Sequence, residues 1–550
     1  MLPAELLQRL RDWQAADPDQ ATITALDHLI ERSEGGDADA VAEIVDAFSG
    51  RLAFGTAGLR AALGPGPNRM NRVVVSQAAA GLARWLVDNG HAGRTVLVGY
   101  DARYNSDVFA RDTAEILAGH GLRPLLTETH VPTPVVAFGI GHYDCVAGVV
   151  VTASHNPPQD NGYKVYLGDG MQIVSPADAE ISARIAAQPA YDQIPQSDAW
   201  TTLDEGIVDT YLDRVVALAD PAKTTGARLS VVYSAMHGVG GGLFESVCER
   251  LGFVDLHAVA EQFEPDGSFP TVAFPNPEEP GAMDLALATA HRERADLIIA
   301  NDPDADRLAV GIPTGDGFRM LRGDEVGVLL GWWTSVRAPA QGSLVTTIVS
   351  SSMLESVAQA AGLGFQQTLT GFKWITRPDD IVYGYEEALG YCVDPAAVRD
   401  KDGISASARM LELAAHLQVQ GKTIAGQLDA LAAEHGVYLT DQISIRVKEL
   451  SDRDRALAAL AARPQDAIAD LAGVTDLTDS AATGLPPTEG LRLTLSGGGR
   501  VVARPSGTEA KLKVYLEVVE NSGDLATDKA RAAQRLAELR SGLERFLADT

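Results

Sequence analysis

The run Thr152-Ala153-Ser154-His155-Asn156-Pro157, followed by Asn161-Gly162-Tyr163-Lys164, gathers a hydroxyl, an imidazole and a primary amine in one short stretch. A hydroxyl with such neighbours can act as a nucleophile and carry a phosphoryl group. The preceding Cys145–Val151 is apolar and β-branched, as a buried strand is, while residues 156–162, rich in Asn, Pro and Gly, read as turn. Ser154 is therefore expected on a loop leaving a core strand, where open α/β sheets place reactive groups. A lone serine in such a loop more often makes only a local turn hydrogen bond. The weight falls on what accompanies it.

A second strand supplies carboxylates. Asp296–Ala300 reads as buried and runs into Asn301-Asp302-Pro303-Asp304-Ala305-Asp306-Arg307. Alternating positions point the same way, so Asp302, Asp304 and Asp306 can present three carboxylates to one side of a loop that Pro303 stiffens. Crowded carboxylates repel unless a cation lies among them, and an all-oxygen set with open positions suits Mg²⁺. The spacing also opens like an EF-hand, but Arg307 stands where that loop needs glycine and Pro313 where it needs a bidentate glutamate. A calcium-sensor loop is excluded, and a solvated acidic turn is the plain alternative.

Two more strand ends have the same character. Ile381–Tyr385 leads into Glu386-Glu387-Ala388-Leu389-Gly390, and Arg500–Ala503 into Arg504-Pro505-Ser506-Gly507-Thr508-Glu509. Arg504, the hydroxyls of Ser506 and Thr508 and the backbone freed by Gly507 can wrap a phosphate, with Lys511 and Lys513 adding positive charge just beyond. Near the N-terminus, Gly55-Thr56-Ala57-Gly58-Leu59-Arg60 is a glycine-rich turn ending in a guanidinium.

In this order, the four loops resemble those of the α-D-phosphohexomutase superfamily, the phosphoglucomutases, phosphomannomutases and their relatives, from about Gly55 to Tyr515. The resemblance makes Ser154 the phosphoserine and a ligand, with Asp302, Asp304 and Asp306, of Mg²⁺. It assigns Arg504, Ser506, Gly507, Thr508 and Lys513 to the substrate phosphate, and Lys373 and Glu386 to the sugar. Thr370-Gly371-Phe372-Lys373-Trp374, with Gly384–Ala388, looks most like the branch that includes phosphopentomutases and glucose-1,6-bisphosphate synthases. The implied reaction interconverts sugar 1-phosphate and 6-phosphate, of glucose or mannose, through a bisphosphorylated intermediate that turns end over end, with sugar 1,6-bisphosphate as activator. Phosphopentomutase or sugar-bisphosphate synthase activity is the alternative. Lys164 is the candidate for proton transfer, its pKa lowered by the metal and other cations nearby. His155 would position the transferring group, and Arg60 and Arg307 would stabilise the phosphoryl oxygens. One position departs from the family's specificity loop: Ala388 stands where a serine hydroxyl commonly reads the sugar.

Two other classes compete. A metal-dependent phosphatase could pass the same phosphoryl group to water, and a phosphosugar-binding regulator could keep the fold without the chemistry. The full set Ser154, Lys164, Asp302, Asp304 and Asp306 argues against a pure binder.

At 550 residues the chain is too long for one core and predicts three to five domains. With 46% hydrophobic and 22% charged residues it has the composition of a globular enzyme. A formal net charge of −29 excludes nucleic acid as a partner, because a phosphate polymer would be repelled. Small phosphorylated sugars are admitted only where basic residues gather. No apolar run is long enough to span a membrane, and Met1–Arg11 lacks a signal-peptide core. Cys145, Cys248 and Cys392 are scattered and odd in number, so a cytoplasmic location with reduced thiols is expected. The sequence does not define the oligomeric state.

The elements that must position these loops alternate. Leu6, Leu7 and Leu10, then Ala25–Glu31, predict N-terminal helices; Thr95–Tyr100 and Leu122–Thr127 predict strands flanking a helix over Val108–Gly119. A second unit opens with a helix at Tyr211–Ala219 and a strand at Leu229–Tyr233, whose Gly238–Gly242 cluster lacks the lysine of a P-loop and reads as a turn into a helix. A third has a strand at Leu344–Val349 with N-caps offered by Ser350, Ser351 and Ser352 for a helix through Ala361. The last has strands at Thr440–Val447 and Lys511–Val519 and a helix over Lys529–Leu547, with Ala456–Gly490 reading as a loosely packed insertion. The family resemblance implies three α/β domains with mixed sheets and a smaller C-terminal α+β domain around a central cleft. Their expected extents are residues 1–205, 206–320, 321–436 and 437–550.

Overall fold

The computed structural model describes residues 2–55, 58–337, 341–446, 450–505 and 511–549. The loop residues Ser506, Gly507 and Thr508, assigned above to phosphate, lie outside the described residues. Among the described residues, twenty strands form four sheets. The first contains β1 (Leu59–Ala62), β2 (Thr95–Tyr100), β3 (Arg123–Thr127), β4 (Ala147–Val151), β5 (Asp160–Leu167) and β6 (Thr201–Leu203), in the order β1-β5-β4-β2-β3-β6. Strands β4, β2, β3 and β6 are parallel, and the β4–β5 and β5–β1 pairs are antiparallel. The second sheet holds β7 (Leu229–Ser234), β8 (Val254–Ala258), β9 (Leu297–Ala300), β10 (Ala309–Thr314) and β11 (Gly317–Met320), with β9, β7 and β8 parallel. The third joins β12 (Ser343–Thr347), β13 (Gly364–Thr368) and β14 (Ile381–Glu386) in parallel and β15 (Gly390–Cys392) antiparallel to β14. The fourth is wholly antiparallel: β16 (Val437–Arg446), β17 (Leu471–Asp476), β18 (Leu491–Leu495), β19 (Gly499–Pro505) and β20 (Lys511–Glu520). Three mixed sheets with helices and one antiparallel sheet with helices are the architecture expected.

Burial explains the strands. Every residue of β4 and of β9 is buried, as parallel strands covered by helices on both faces must be. The chain divides into two compact units, residues 1–320 with 394–415, and residues 321–393 with 416–550. The segment 394–415 returns to the first unit, bringing the start of the helix Gly403–Val419 with it.

Local readings differ at four places. Residues 160–162, read as turn, open β5, because Asn161 and Gly162 pair with Ala61 and Arg60 of β1. Gly162 is needed for close approach, since a Cβ there would lie 2.5 Å from the Thr152 carbonyl oxygen. Arg60 and Lys164 accordingly sit in strands rather than turns. The Ala456–Gly490 segment carries the end of helix Leu450–Ala462 and strand β17, and buries Leu460, Ile468 and Leu477, so it is packed rather than loose. Ser352 holds the N-cap position of helix Met353–Ala360 without a side-chain cap; its hydroxyl bonds Glu517 at 2.8 Å.

Candidate active site

The serine loop and the aspartate loop leave the carboxyl ends of β4 and β9 in the first unit, and they meet. Ser154 is 3% exposed, with its backbone in the left-handed region at φ 51°. Such a conformation is uncommon for a residue with a side chain and persists only where surrounding contacts impose it. It aims Oγ at the second loop: Ser154 Oγ donates to Asp302 Oδ2 at 2.6 Å and lies 3.2 Å from His155 Nδ1. Ala305, inside the aspartate loop, is also left-handed, at φ 53°.

Asp302, Asp304 and Asp306 are fully buried, and one oxygen from each lies within 4.8 Å of the others. Lys164 Nζ donates to Asp304 Oδ2 at 2.6 Å and to Asp306 Oδ2 at 2.7 Å. Thr133 Oγ1 donates to Asp304 Oδ2 at 2.5 Å, and the Arg307 backbone N–H to Asp302 Oδ1 at 2.9 Å. Asp304 Oδ1 and Asp306 Oδ1 are buried without a protein hydrogen-bond partner among the described residues. Buried carboxylate oxygens left unpartnered in a cluster of three are what a hard divalent cation needs, so this group could hold Mg²⁺.

The electrostatics follow from crowding. Burial and the neighbouring Asp304 and Asp306 push the Asp302 carboxyl well above the usual range. Asp304 is opposed by burial and by Asp306, but Lys164 outweighs them and holds it down. Asp306 is opposed by burial and held low by Lys164, Lys401 and Arg307. Burial alone would pull Lys164 down, yet Asp304 and Asp306 leave its pKa raised. Among the side chains alone the expected lowering of the Lys164 pKa is reversed, because its nearest partners are anions. His155 is driven well below its ordinary value by burial and by Arg307 and Arg60.

Arg60 Nη1 donates to Asn156 Oδ1 at 3.1 Å, and Arg307 Nε lies 3.9 Å from Asp306 Oδ1. Sequence reasoning missed Lys401, whose Nζ lies 3.3 Å from Asp306 Oδ2 and 3.4 Å from Asp400 Oδ1. It also missed Gly403, where a Cβ would lie 2.2 Å from the Arg307 carbonyl oxygen, so only glycine lets this segment close on the aspartate loop. The one local signal was the alternation Asp400-Lys401-Asp402-Gly403 ahead of a helix.

In the second unit, one face of β19 meets the loops after β12 and β13. Arg500 Nη2 donates to Ser350 O at 2.5 Å, Val502 packs with Ile348, Val349 and Leu369, and Arg504 bonds Thr370 Oγ1. Lys513 is the cross-strand partner of Arg504, so two cations share a face. Lys373 lies in the short helix Phe372–Ile375 after Thr370 and Gly371, its Nζ 5.9 Å from the Trp374 ring centre. Glu386 ends β14. The half-buried Glu387 accepts from Ser350 Oγ at 2.9 Å, and burial and Glu386 push its carboxyl up to about 7.

Four consecutive domain families match the sequence: phosphoglucomutase/phosphomannomutase alpha/beta/alpha domain I over residues 51–192, domain II over 209–315, domain III over 322–435 and the C-terminal domain over 443–538. The chain belongs to the phosphoglucomutase/phosphomannomutase family. The Haemophilus influenzae protein named "Probable phosphomannomutase" is 46% identical over 87% of this chain and 98% of its own. Human phosphopentomutase is 33% identical over 98% of this chain and 95% of its own. The crystal structure of a phosphoglucomutase/phosphomannomutase family protein from Burkholderia thailandensis shares the fold at a TM-score of 0.68, with 21% identity, covering 89% of this chain and 96% of that one. This phosphohexomutase relative is therefore a phosphosugar mutase, an isomerase that transfers phosphate within small phosphorylated sugars. Among the described residues, no helix is long and apolar enough to cross a membrane.

Proposed function

We propose that the enzyme interconverts sugar 1-phosphates with their terminal phosphates through a phosphoryl group carried on Ser154 Oγ. The observation that carries this reading is Ser154 Oγ, held 2.6 Å from Asp302 Oδ2 at the rim of the three-carboxylate group. The terminal hydroxyl of a sugar 1-phosphate takes the phosphoryl group: a phosphorus–oxygen bond forms to the sugar as the bond to Oγ breaks, and the hydroxyl proton ends on Oγ. The bisphosphate then presents its 1-phosphate, whose transfer to Ser154 reverses those bond changes and restores the carrier.

Ser154 and the three aspartates would hold Mg²⁺, which supplies charge neutralisation on the phosphoryl oxygens when bound. Arg60 and Arg307 add positive charge beside them. Lys164, kept protonated by Asp304 and Asp306, is suited to giving a proton, and the neutral imidazole of His155, 3.2 Å from Oγ, to receiving one. Sugar 1,6-bisphosphate would refill Ser154 and so activate the enzyme. Lys373 and Glu386 are proposed to bind the sugar, and Arg504 with Lys513 its other phosphate. The proposed domain extents are those given above, one sheet to each.

Ala388 favours a second reading within this one. No side-chain hydroxyl is available there to read the ring, and relatives spanning nearly the whole chain are named for pentoses as well as for mannose. We infer that hexose and pentose 1-phosphates are both accepted. The test is a panel of glucose, mannose, glucosamine, ribose and deoxyribose 1-phosphates assayed with bisphosphate present. Release of inorganic phosphate in place of isomerised sugar would point to a phosphatase.

A further inference from the structure

Arg103 follows β2 on the turn into helix Ser106–Gly119 and is 3% exposed, yet the transfer chemistry above gives it no part. Its Nη1 donates to Pro157 O at 2.9 Å and Asp160 O at 3.1 Å, and its Nη2 to Ser154 O at 2.5 Å and to Asn156 O. One guanidinium gathers four carbonyls of the serine loop, that of Ser154 among them. Asp101 secures the other side: its Oδ2 accepts from Thr152 Oγ1 at 2.6 Å, and Thr152 Oγ1 accepts from the Ser154 backbone N–H at 2.8 Å. Asp101 Oδ1 accepts from the Arg103 N–H at 3.0 Å and from Ser106 Oγ at 2.7 Å. Both peptide groups flanking the left-handed Cα of Ser154 are thereby held, the N–H through Thr152 and Asp101, the carbonyl through Arg103. The guanidinium also stacks 4.8 Å from the ring centre of Phe269, in the segment between β8 and β9.

We propose that Arg103 is a positioning residue for phosphoryl transfer, fixing the left-handed Ser154 so that Oγ points at the carboxylate group. The proposal rests on the reading of Ser154 as the carrier. A planar fork of donors suits four carbonyls, whereas a lysine ammonium offers three donors from one point and cannot span them. Arg103 bonds backbone carbonyls of the serine loop rather than Ser154 Oγ. Its effect belongs in the rate of transfer and not in sugar affinity.

The experiment follows the rate at which glucose 1,6-bisphosphate phosphorylates Ser154, by rapid quench and mass spectrometry, in wild type, Arg103→Lys, Arg103→Ala and Phe269→Leu, beside melting curves and KM for glucose 1-phosphate. The expected result is a folded Arg103→Lys with KM nearly unchanged and transfer slowed roughly 100-fold, the scale of a misplaced reacting group. Added guanidinium ion should recover part of the rate in Arg103→Ala. A folded Arg103→Lys that phosphorylates at the wild-type rate, or a loss of rate matched by loss of folded enzyme, overturns the proposal. Should the arginine variants fail to fold, Phe269→Leu decides: slower transfer at unchanged KM supports the proposal, and an unchanged rate overturns it. Wild type that takes no phosphate on Ser154 removes the carrier reading and this proposal together, whereas phosphorylation equal in wild type and folded Arg103→Lys removes this proposal alone.

Discussion

Ser154 and Asp304 have opposite parts in the proposed chemistry, one changed covalently in each cycle and the other never. Ser154→Ala removes a loop hydroxyl whose hydrogen bonds are to Asp302 and His155 rather than to the core. Its melting temperature should stay close to that of wild type while turnover falls to background, as measured by coupled assay beside a thermal melt. Asp304→Ala, or a chelator added to wild type, should lower kcat by several orders of magnitude with a much smaller change in KM, because charge neutralisation acts on the transition state. Full turnover in chelator would contradict the metal's part. Ala388→Ser supplies the missing hydroxyl, and the ratio of hexose to pentose activity should rise, read as kcat/KM for glucose and ribose 1-phosphates. An unchanged ratio would place sugar discrimination at another residue.

At the scale of elements, Asp402 ties the returning segment to the first unit. It accepts from Tyr211 Oη at 2.7 Å and from the N–H groups of Ile404 and Ser405 at the start of helix Gly403–Val419. Burial raises its carboxyl to about 6 against those hydrogen bonds, above its unfolded value. The folded state then binds this proton more tightly, so the contribution to stability is present below about pH 4 and lost as pH rises through 6. Asp402→Asn cannot titrate and so removes this slope. Relative to wild type, its unfolding free energy should improve by up to about 3 kcal/mol between pH 4 and pH 7 in denaturant titrations. Parallel curves would show that Asp402 is ionised throughout. The same segment shows what sequence could and could not reveal. Ser154 with His155, and the three aspartates, each lie within one loop after an apolar run, so strand pattern and local spacing exposed them. Arg103, Lys401 and Gly403 act on residues far along the chain, and nothing in their own neighbourhood marks the partner. Residues 160–162 read as turn although they open a strand, because Gly162 serves close strand approach, which sequence cannot distinguish from a turn. Ala456–Gly490 reads as loose because its buried anchors, such as Leu460 and Leu477, are sparse among alanines and aspartates.

Across the whole molecule, a net charge of −29 coexists with cations near the carboxylate group, Arg60, Lys164, Arg307 and Lys401, in one unit, and with Lys373, Arg504 and Lys513, proposed above to bind the sugar and its phosphate, in the other. Family membership establishes a phosphosugar mutase, and Ser154 is proposed as its phosphoryl carrier. The most direct test of this proposal is a chase. Wild-type enzyme is incubated with sugar 1,6-bisphosphate labelled in its phosphates, freed of excess ligand, mapped for phosphate, and then given unlabelled glucose 1-phosphate. Label is expected on Ser154, leaving the protein on the chase and appearing in the sugar. Label on another residue, or label released from Ser154 only as inorganic phosphate, would contradict it.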